Sequence, residues 1–293
     1  MSLFIYFKKI FKLIYSLWIN LFNNLLLYPL LGLLQKEGIF DIYFLNHGYV
    51  EDEDENNNNK FSQPNSLTKL VQSVGNFPKG IEGDALHAHC LLYEITLAQC
   101  PLYESLKGLK LLEVGCGPGG GLNWIKVAHP EIGSLYGLDR HPPPSDSLSL
   151  GINVISGMAE KLPFADCSFD IIINVESSHC YGEGEMEFFH EVSRVLKKGG
   201  YLCWTDIRTS KGLKLTLEYA ENSKLKLISP LTKINKQILR GIKKTSSRYE
   251  LLLERAPFWI KIFGNNFRKV FAPNREKLEN GEHLYMLGCW QKS

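Results

Sequence analysis

Residues 110–121 read KLLEVGCGPGGG. A short apolar run enters five glycines within the seven residues 115–121, and the periodic stretch LNWIKVA follows. A run of this length bounded by glycine fits a buried strand better than a helix. The glycine density exceeds what a tight turn requires. The stretch therefore predicts strand, glycine turn and helix. Downstream, SLYGLD ends a second strand at Asp139, and INVISG forms a third that leads to MAEKLPF. A fourth, FDIIINV, runs into NVESSHCY. The helix MEFFHEVSRVL, apolar at Phe188, Phe189, Val192, Val195 and Leu196, precedes KKGGYLCWTD, a turn into a fifth strand. Strands alternating with helices imply a mostly parallel α/β sheet with right-handed crossovers, which binds ligands beyond the carboxyl ends of its strands. The segment RHPPPSDSLSLG after Asp139 holds three consecutive prolines. The second crossover helix is therefore expected to be truncated or absent.

Composition narrows the functional classes. The 293 residues are 44% hydrophobic and 22% charged, an ordinary globular balance. A net charge of +2 from 33 basic and 31 acidic residues argues against nucleic acid as the main partner. Seven cysteines without a CxxC pair read as free thiols of a reducing, cytoplasmic setting. His87, His89 and Cys90 lie close together, but no second ligand cluster has zinc spacing, so no metal is expected.

The glycine turn has two readings. Gly115, Gly117 and Gly120 satisfy the dinucleotide pattern GxGxxG. Gly115, Gly117 and Gly119, with Glu113 before them, satisfy the ExGxGxG turn of S-adenosylmethionine enzymes. In either case glycine admits ligand close to backbone. Asp139, about twenty residues past the glycines, is placed to hold a ribose diol. Glu113, Asp139, LPF after the third strand and KKGG before the fifth together favour the methyl donor.

FLNHGYVEDED, EVGCGPGGG, GMAEKLPFADCSFDIIINVESSHCY, VLKKGGYLCWTDIR and QILRGI together resemble the phthiotriol/phenolphthiotriol dimycocerosates methyltransferases, a group within class I methyltransferases. The resemblance spans about residues 25–293, and NVESSHCY and NHGY are its most specific parts. It implies the Rossmann-like class I methyltransferase fold, S-adenosylmethionine as cofactor and a hydroxyl acceptor on a long polyketide-derived lipid. Glu113, Gly115, Gly117, Gly119, Asp139, Ala159, Glu160 and Asn174 are the expected donor contacts. The family has aspartate where Met158 stands, which leaves only backbone at Ala159 and Glu160 for the adenine amine. Natural-product O-methyltransferases resembling this chain place a catalytic histidine three residues after a glutamate, as His179 follows Glu176. They place a partner aspartate at the end of the next strand, the position of Asp206. A hydroxyl is a poor nucleophile until its proton leaves, and histidine titrates near neutrality. The ordinary alternative is a loop histidine bonding backbone, and Tyr181 reads more readily as a packed aromatic than as a substrate contact. C- or N-methylation of the sterol or phospholipid-base kind, a non-catalytic donor-binding protein tethered to membranes, and a nicotinamide enzyme remain as competing readings.

The flanks organise the rest. Residues 1–50 form an apolar cap. Its first part is a long amphipathic helix with Phe11, Trp18 and Phe22 on its apolar face and Lys8, Lys12, Ser16 and Asn20 on a polar stripe. Residues 13–34 carry no charge, but Asn20, Asn23, Asn24 and Pro29 weigh against a membrane span, and a cleaved signal peptide is not expected. An interfacial helix in peripheral membrane contact, or a lid over a greasy substrate tunnel, fits better. Residues 51–66 read as an acidic, Asn-rich loop. Residues 84–293 form the methyltransferase domain, with a core at 109–207, a helical insertion at 211–265 and a closing strand near 284–290. The stripe Lys233, Lys236, Arg240, Lys243 and Lys244 is ordinarily a solvated face, with membrane contact as the alternative.

Overall fold

The computed structural model describes residues 43–51, 67–68, 70–71, 84–255 and 275–293. The expected helix within residues 1–42 and the acidic loop beyond Glu51 lie outside the described residues. The contacts divide the chain at Ile42, and Tyr43–Ser293 is one compact unit. Segment 43–50, assigned above to the cap, is therefore part of the main body.

The elements are α1 (Asp84–Leu97), β1 (Lys110–Val114), α2 (Gly120–Ala128), β2 (Ser134–Asp139), β3 (Ile152–Ser156), β4 (Phe169–Val175), α3 (Glu185–Val195), β5 (Leu196–Thr209), α4 (Ser210–Asn222), β6 (Leu225–Leu227), β7 (Thr232–Lys233), α5 (Asn235–Arg255), α6 (Arg275–Glu279) and β8 (His283–Lys292). The strands form one sheet in the order β3-β2-β1-β4-β5-β8-β6, with β7 also on β8. Pairing is parallel from β3 through β5, and β8 runs antiparallel beside β5. Chain order reverses at β1, between β2 and β4. In a doubly wound sheet the crevice opens at such a point.

Both faces are covered, so the central strands read as continuous apolar runs. Leu111, Ile171 and Ile173 pack on α1 and α2, whereas Leu112, Val114 and Ile172 face α3 with Trp204 and Trp290. Helix α1 is apolar nearly all round and buried accordingly. Its one deep carboxylate, Glu94, accepts from Trp124 Nε1 at 2.8 Å, His129 Nε2 at 2.9 Å and the Tyr103 hydroxyl, tying α1 to the middle of α2 and to the residue just past its C-terminus.

Three expectations change in detail. KKGG is a bulge inside β5: the register moves from Phe169↔Leu196 to Ile171↔Tyr201, and Lys197 Nζ reaches Asp170 Oδ1 at 2.7 Å. The insertion at 211–265 is not purely helical, because β6 and β7 leave it to pair with β8. The closing strand is also longer than 284–290, running His283–Lys292. Between β2 and β3 the three prolines leave only a 3₁₀ turn, Ser145–Ser147, in place of a crossover helix.

Candidate active site

The glycine turn leaves β1 with left-handed φ of +76° at Gly115, +49° at Gly117 and +84° at Gly119. Gly115 and Gly117 are glycine for different reasons. A Cβ on Gly115 would sit 1.8 Å from Ser177 Oγ, so the loop after β4 closes directly on the turn. A Cβ on Gly117 would meet only Leu45 Cδ1, at 3.6 Å, and the turn there is open to a ligand. Asp139, ending β2, accepts from the Gly117 amide at 2.8 Å and the His141 amide at 2.8 Å. Burial raises the Asp139 carboxyl above its ordinary range against these bonds.

The second centre lies at the carboxyl ends of β4 and β5. His179 Nδ1 meets Asp206 Oδ1 at 2.7 Å, and the His179 amide donates to Oδ2 at 2.9 Å. Ser178 Oγ donates to Oδ2 at 2.7 Å and the Ile207 amide to Oδ1 at 2.7 Å. Asp206 is fully buried, and burial alone would favour its neutral form. The charges of His179 and Arg208 prevail and hold the carboxylate far below its ordinary range. Burial likewise disfavours the His179 imidazolium. The Cys180 thiol and the Asp206 carboxylate outweigh it, so the pKa stands well above the histidine norm. The His179 side chain still keeps 37% of its surface exposed while that of Asp206 keeps 0%. A carboxylate on Nδ1 fixes the proton there and leaves Nε2 as the basic nitrogen.

A family model described as "Methyltransferase domain" matches residues 112–204, the stretch from β1 to β5. The phthiotriol/phenolphthiotriol dimycocerosates methyltransferase of Mycobacterium leprae (strain TN) is 33% identical over 274 residues, covering 90% of each chain. The chain belongs to this methyltransferase family. A second relative, the fatty-acid O-methyltransferase of Mycolicibacterium smegmatis, is 31% identical over 270 residues, 86% of this chain and 84% of that one. The cyclopropane synthase MmaA2 from Mycobacterium tuberculosis shares the fold, with a TM-score of 0.60, 12% identity and coverage of 79% of this chain and 95% of that one. A putative sarcosine dimethylglycine methyltransferase from Galdieria sulphuraria does so at 0.56 and 17%, over 78% and 98%.

As a member of the phthiotriol/phenolphthiotriol dimycocerosates methyltransferase family, the protein is a methyltransferase that uses S-adenosylmethionine. The residues beside the turn fit that donor. Glu113 is fully buried; Tyr93 bonds its Oε1 at 2.7 Å, and its Oε2 has no partner. Burial pushes its carboxyl up to about 8. Asn174, equally buried, gives its amide N–H to Val114 O at 2.8 Å and leaves Oδ1 without a partner. Both oxygens are acceptors of the kind an amino-acid ammonium needs. Ala159 and Glu160 sit in the short connection after β3, with Ala159 buried against Leu162 and Glu160 Oε1 3.9 Å from the Arg140 guanidinium. Met158 is half exposed.

The expected residues thus fall into two groups, the first at the glycine turn and Asp139, the second at His179 and Asp206. Sequence reasoning missed the groups between them. Tyr181 is more than a packed aromatic: its hydroxyl bonds Ser177 Oγ at 2.7 Å and Asn174 Nδ2 at 3.1 Å, joining the two groups. Glu176 adopts φ +48°, rare for a side chain. Its carboxyl receives the His47 amide at 2.7 Å and the Tyr285 hydroxyl, with His47 Nε2 at 3.3 Å. Burial pushes Glu176 up to about 8 and brings His47 down to about 3. NHGY thereby meets NVESSHCY, although the sequence marked NHGY only as a family signature. Asn46 of NHGY bonds His89 Nδ1 at 2.9 Å, and no cluster of metal ligands occurs among the described residues.

Proposed function

We propose that the protein transfers the methyl group of S-adenosylmethionine to a hydroxyl of a hydrophobic, lipid- or polyketide-like molecule, with His179 as general base. The observation that carries this reading is the 2.7 Å contact of His179 Nδ1 with a buried Asp206, on a histidine still partly open to solvent. Bound donor supplies an electrophilic methyl on sulfonium. His179 Nε2 takes the acceptor's proton as the O–CH₃ bond forms and the S–CH₃ bond breaks, leaving S-adenosylhomocysteine. Asp206 holds the tautomer and supports the imidazolium. Glu113, Gly115, Gly117, Gly119, Asp139, Ala159, Glu160 and Asn174 hold the donor in this reading. The names of the relatives support a lipid-like acceptor. The apolar composition of the first forty residues supports peripheral contact with a bilayer. Among the described residues no helix is long and apolar enough to cross a membrane.

A carboxyl acceptor is the second reading. A relative named fatty-acid O-methyltransferase and a His179 held toward its protonated form favour it. A carboxylate needs no base, and an imidazolium would bind it. His179→Ala decides between them. Turnover on hydroxyl acceptors should fall at least about a hundred-fold with S-adenosylhomocysteine affinity unchanged. Unchanged kcat with a raised KM on a fatty acid would give the carboxyl reading instead.

A further inference from the structure

The dyad does not stand alone. Arg208, two residues beyond Asp206 on the same face of β5, is buried, and its guanidinium is occupied all round. Nη1 lies 3.1 Å from Asp206 Oδ2 and donates to Ile207 O at 2.8 Å. Nη2 donates to Ser178 Oγ at 2.6 Å and Glu185 Oε1 at 2.8 Å, and Nε to Thr216 Oγ1 at 3.0 Å. The guanidinium carbon lies 5.3 Å from the Trp204 ring centroid. Ser178 Oγ is used fully, since it accepts from Arg208 and from Trp204 Nε1 at 2.8 Å and donates to Asp206. The planar fork therefore meets the carboxylate directly and again through Ser178, the residue before the histidine. A lysine carries the charge but not that fork.

Resting on the dyad reading above, we propose that Arg208 is a positioning residue of the dyad, fixing the orientation of the Asp206 carboxylate and tempering the negative charge that His179 experiences. A bare buried carboxylate on Nδ1 would hold the proton on the imidazole too firmly for a base to release and regain it near neutrality. A cation on the far side of the same carboxylate draws part of that field away. Glu185, at the start of α3, in turn offsets Arg208, so the chain is Glu185, Arg208, Asp206, His179 with alternating charge. The other groups that face His179 are Glu176 and Cys180 from its own loop, His47 from segment 43–50 and His283 from β8.

The test reads the imidazole rather than turnover. The protein is labelled at its histidine rings, the His179 resonance is assigned by its loss in His179→Ala, and the ring is titrated with S-adenosylhomocysteine bound. Arg208→Gln should move the His179 pKa upward by on the order of one unit, while Arg208→Lys stays near the wild-type value. Glu185→Gln leaves Arg208 less compensated and should move it downward, which decides the matter even where Arg208→Gln does not fold. An unchanged or lowered pKa in folded Arg208→Gln, or a shift of the same sign in Glu185→Gln, overturns the inference. Wild-type turnover in His179→Ala would sink the base assignment and leave this titration standing.

Discussion

At the residue scale the site is a set of groups displaced from their ordinary titration ranges, and each displacement has a sign that can be measured. His179 can act as a base only when neutral, and its pKa is raised. The rate on a hydroxyl acceptor should therefore climb with pH through a value above the ordinary histidine range. In Asp206→Asn the imidazolium loses its carboxylate, so the acid limb should move to lower pH while the plateau rate drops. Glu113, held near 8 by burial, is neutral in the free protein at pH 7. A donor ammonium that meets Glu113 Oε2 draws the carboxyl into its charged form and expels its proton. Titration calorimetry with S-adenosylhomocysteine in buffers of different ionisation enthalpy should detect that release at pH 7, and Glu113→Gln should abolish it. Replacing Gly117 by valine is expected to remove donor binding and to cost some stability through its φ of +49°, although among the described residues a Cβ would meet only Leu45, at 3.6 Å, so binding is read on protein shown to be folded by its melting curve. A valine variant that still binds would place the donor elsewhere.

At the element scale, one buried carboxylate of α1 holds both Trp124 of α2 and His129 just past it. The His129 ring lies on Glu94 at 2.9 Å. Burial works against its protonated form, but Glu94 and Glu131 prevail and its pKa is raised. A raised folded-state pKa means stability present in full below the unfolded value and lost as pH rises through the folded one. His129→Gln should accordingly cost about 2 kcal/mol at pH 6 and less at pH 9, read by chemical denaturation at both. A difference that is constant with pH would reduce this contact to packing. The elements themselves were legible where periodicity and punctuation agreed. β1, β2, β3, β4 and α3 stand where KLLEVG, SLYGLD, INVISG, FDIIINV and the Phe188, Phe189, Val192, Val195 spacing put them. β6 and β7 were not legible. Three and two residues long, they are strands only because β8 offers an edge, a tertiary cause with no local signal.

At the scale of the whole molecule, the order of the strands reverses at β1, and the groups assigned to the donor and the dyad lie at or near the carboxyl ends of the parallel strands. The glycines and Asp139 could be picked from the sequence because a glycine cluster and an acid ending a strand are local patterns, whereas the roles of His179 and Asp206 came only from the resemblance, and Asp206 lies within β5, which runs on to Thr209. His47, Tyr285 and Arg208 could not. Each is joined to the dyad region through a partner far along the chain, 129 residues from His47 to Glu176 and 30 from Arg208 to Ser178. Only closure of the fold shows what they touch.

Segment 43–50 runs past both the glycine turn and Glu176. The Tyr43 carbonyl is so close to Gly120 that a Cβ there would meet it at 1.9 Å, Leu45 stands over Gly117, and His47 is bonded to Glu176 on the acceptor side. Traffic through the enzyme should then have a sequence. A donor bound on the glycine turn as proposed would lie beneath Leu45, so it is expected to enter before the acceptor and, spent, to leave last. Steady-state kinetics should show S-adenosylhomocysteine competing with S-adenosylmethionine but giving mixed inhibition against the acceptor. Competition against both would mean that the two ligands come and go independently, and that the segment governs neither.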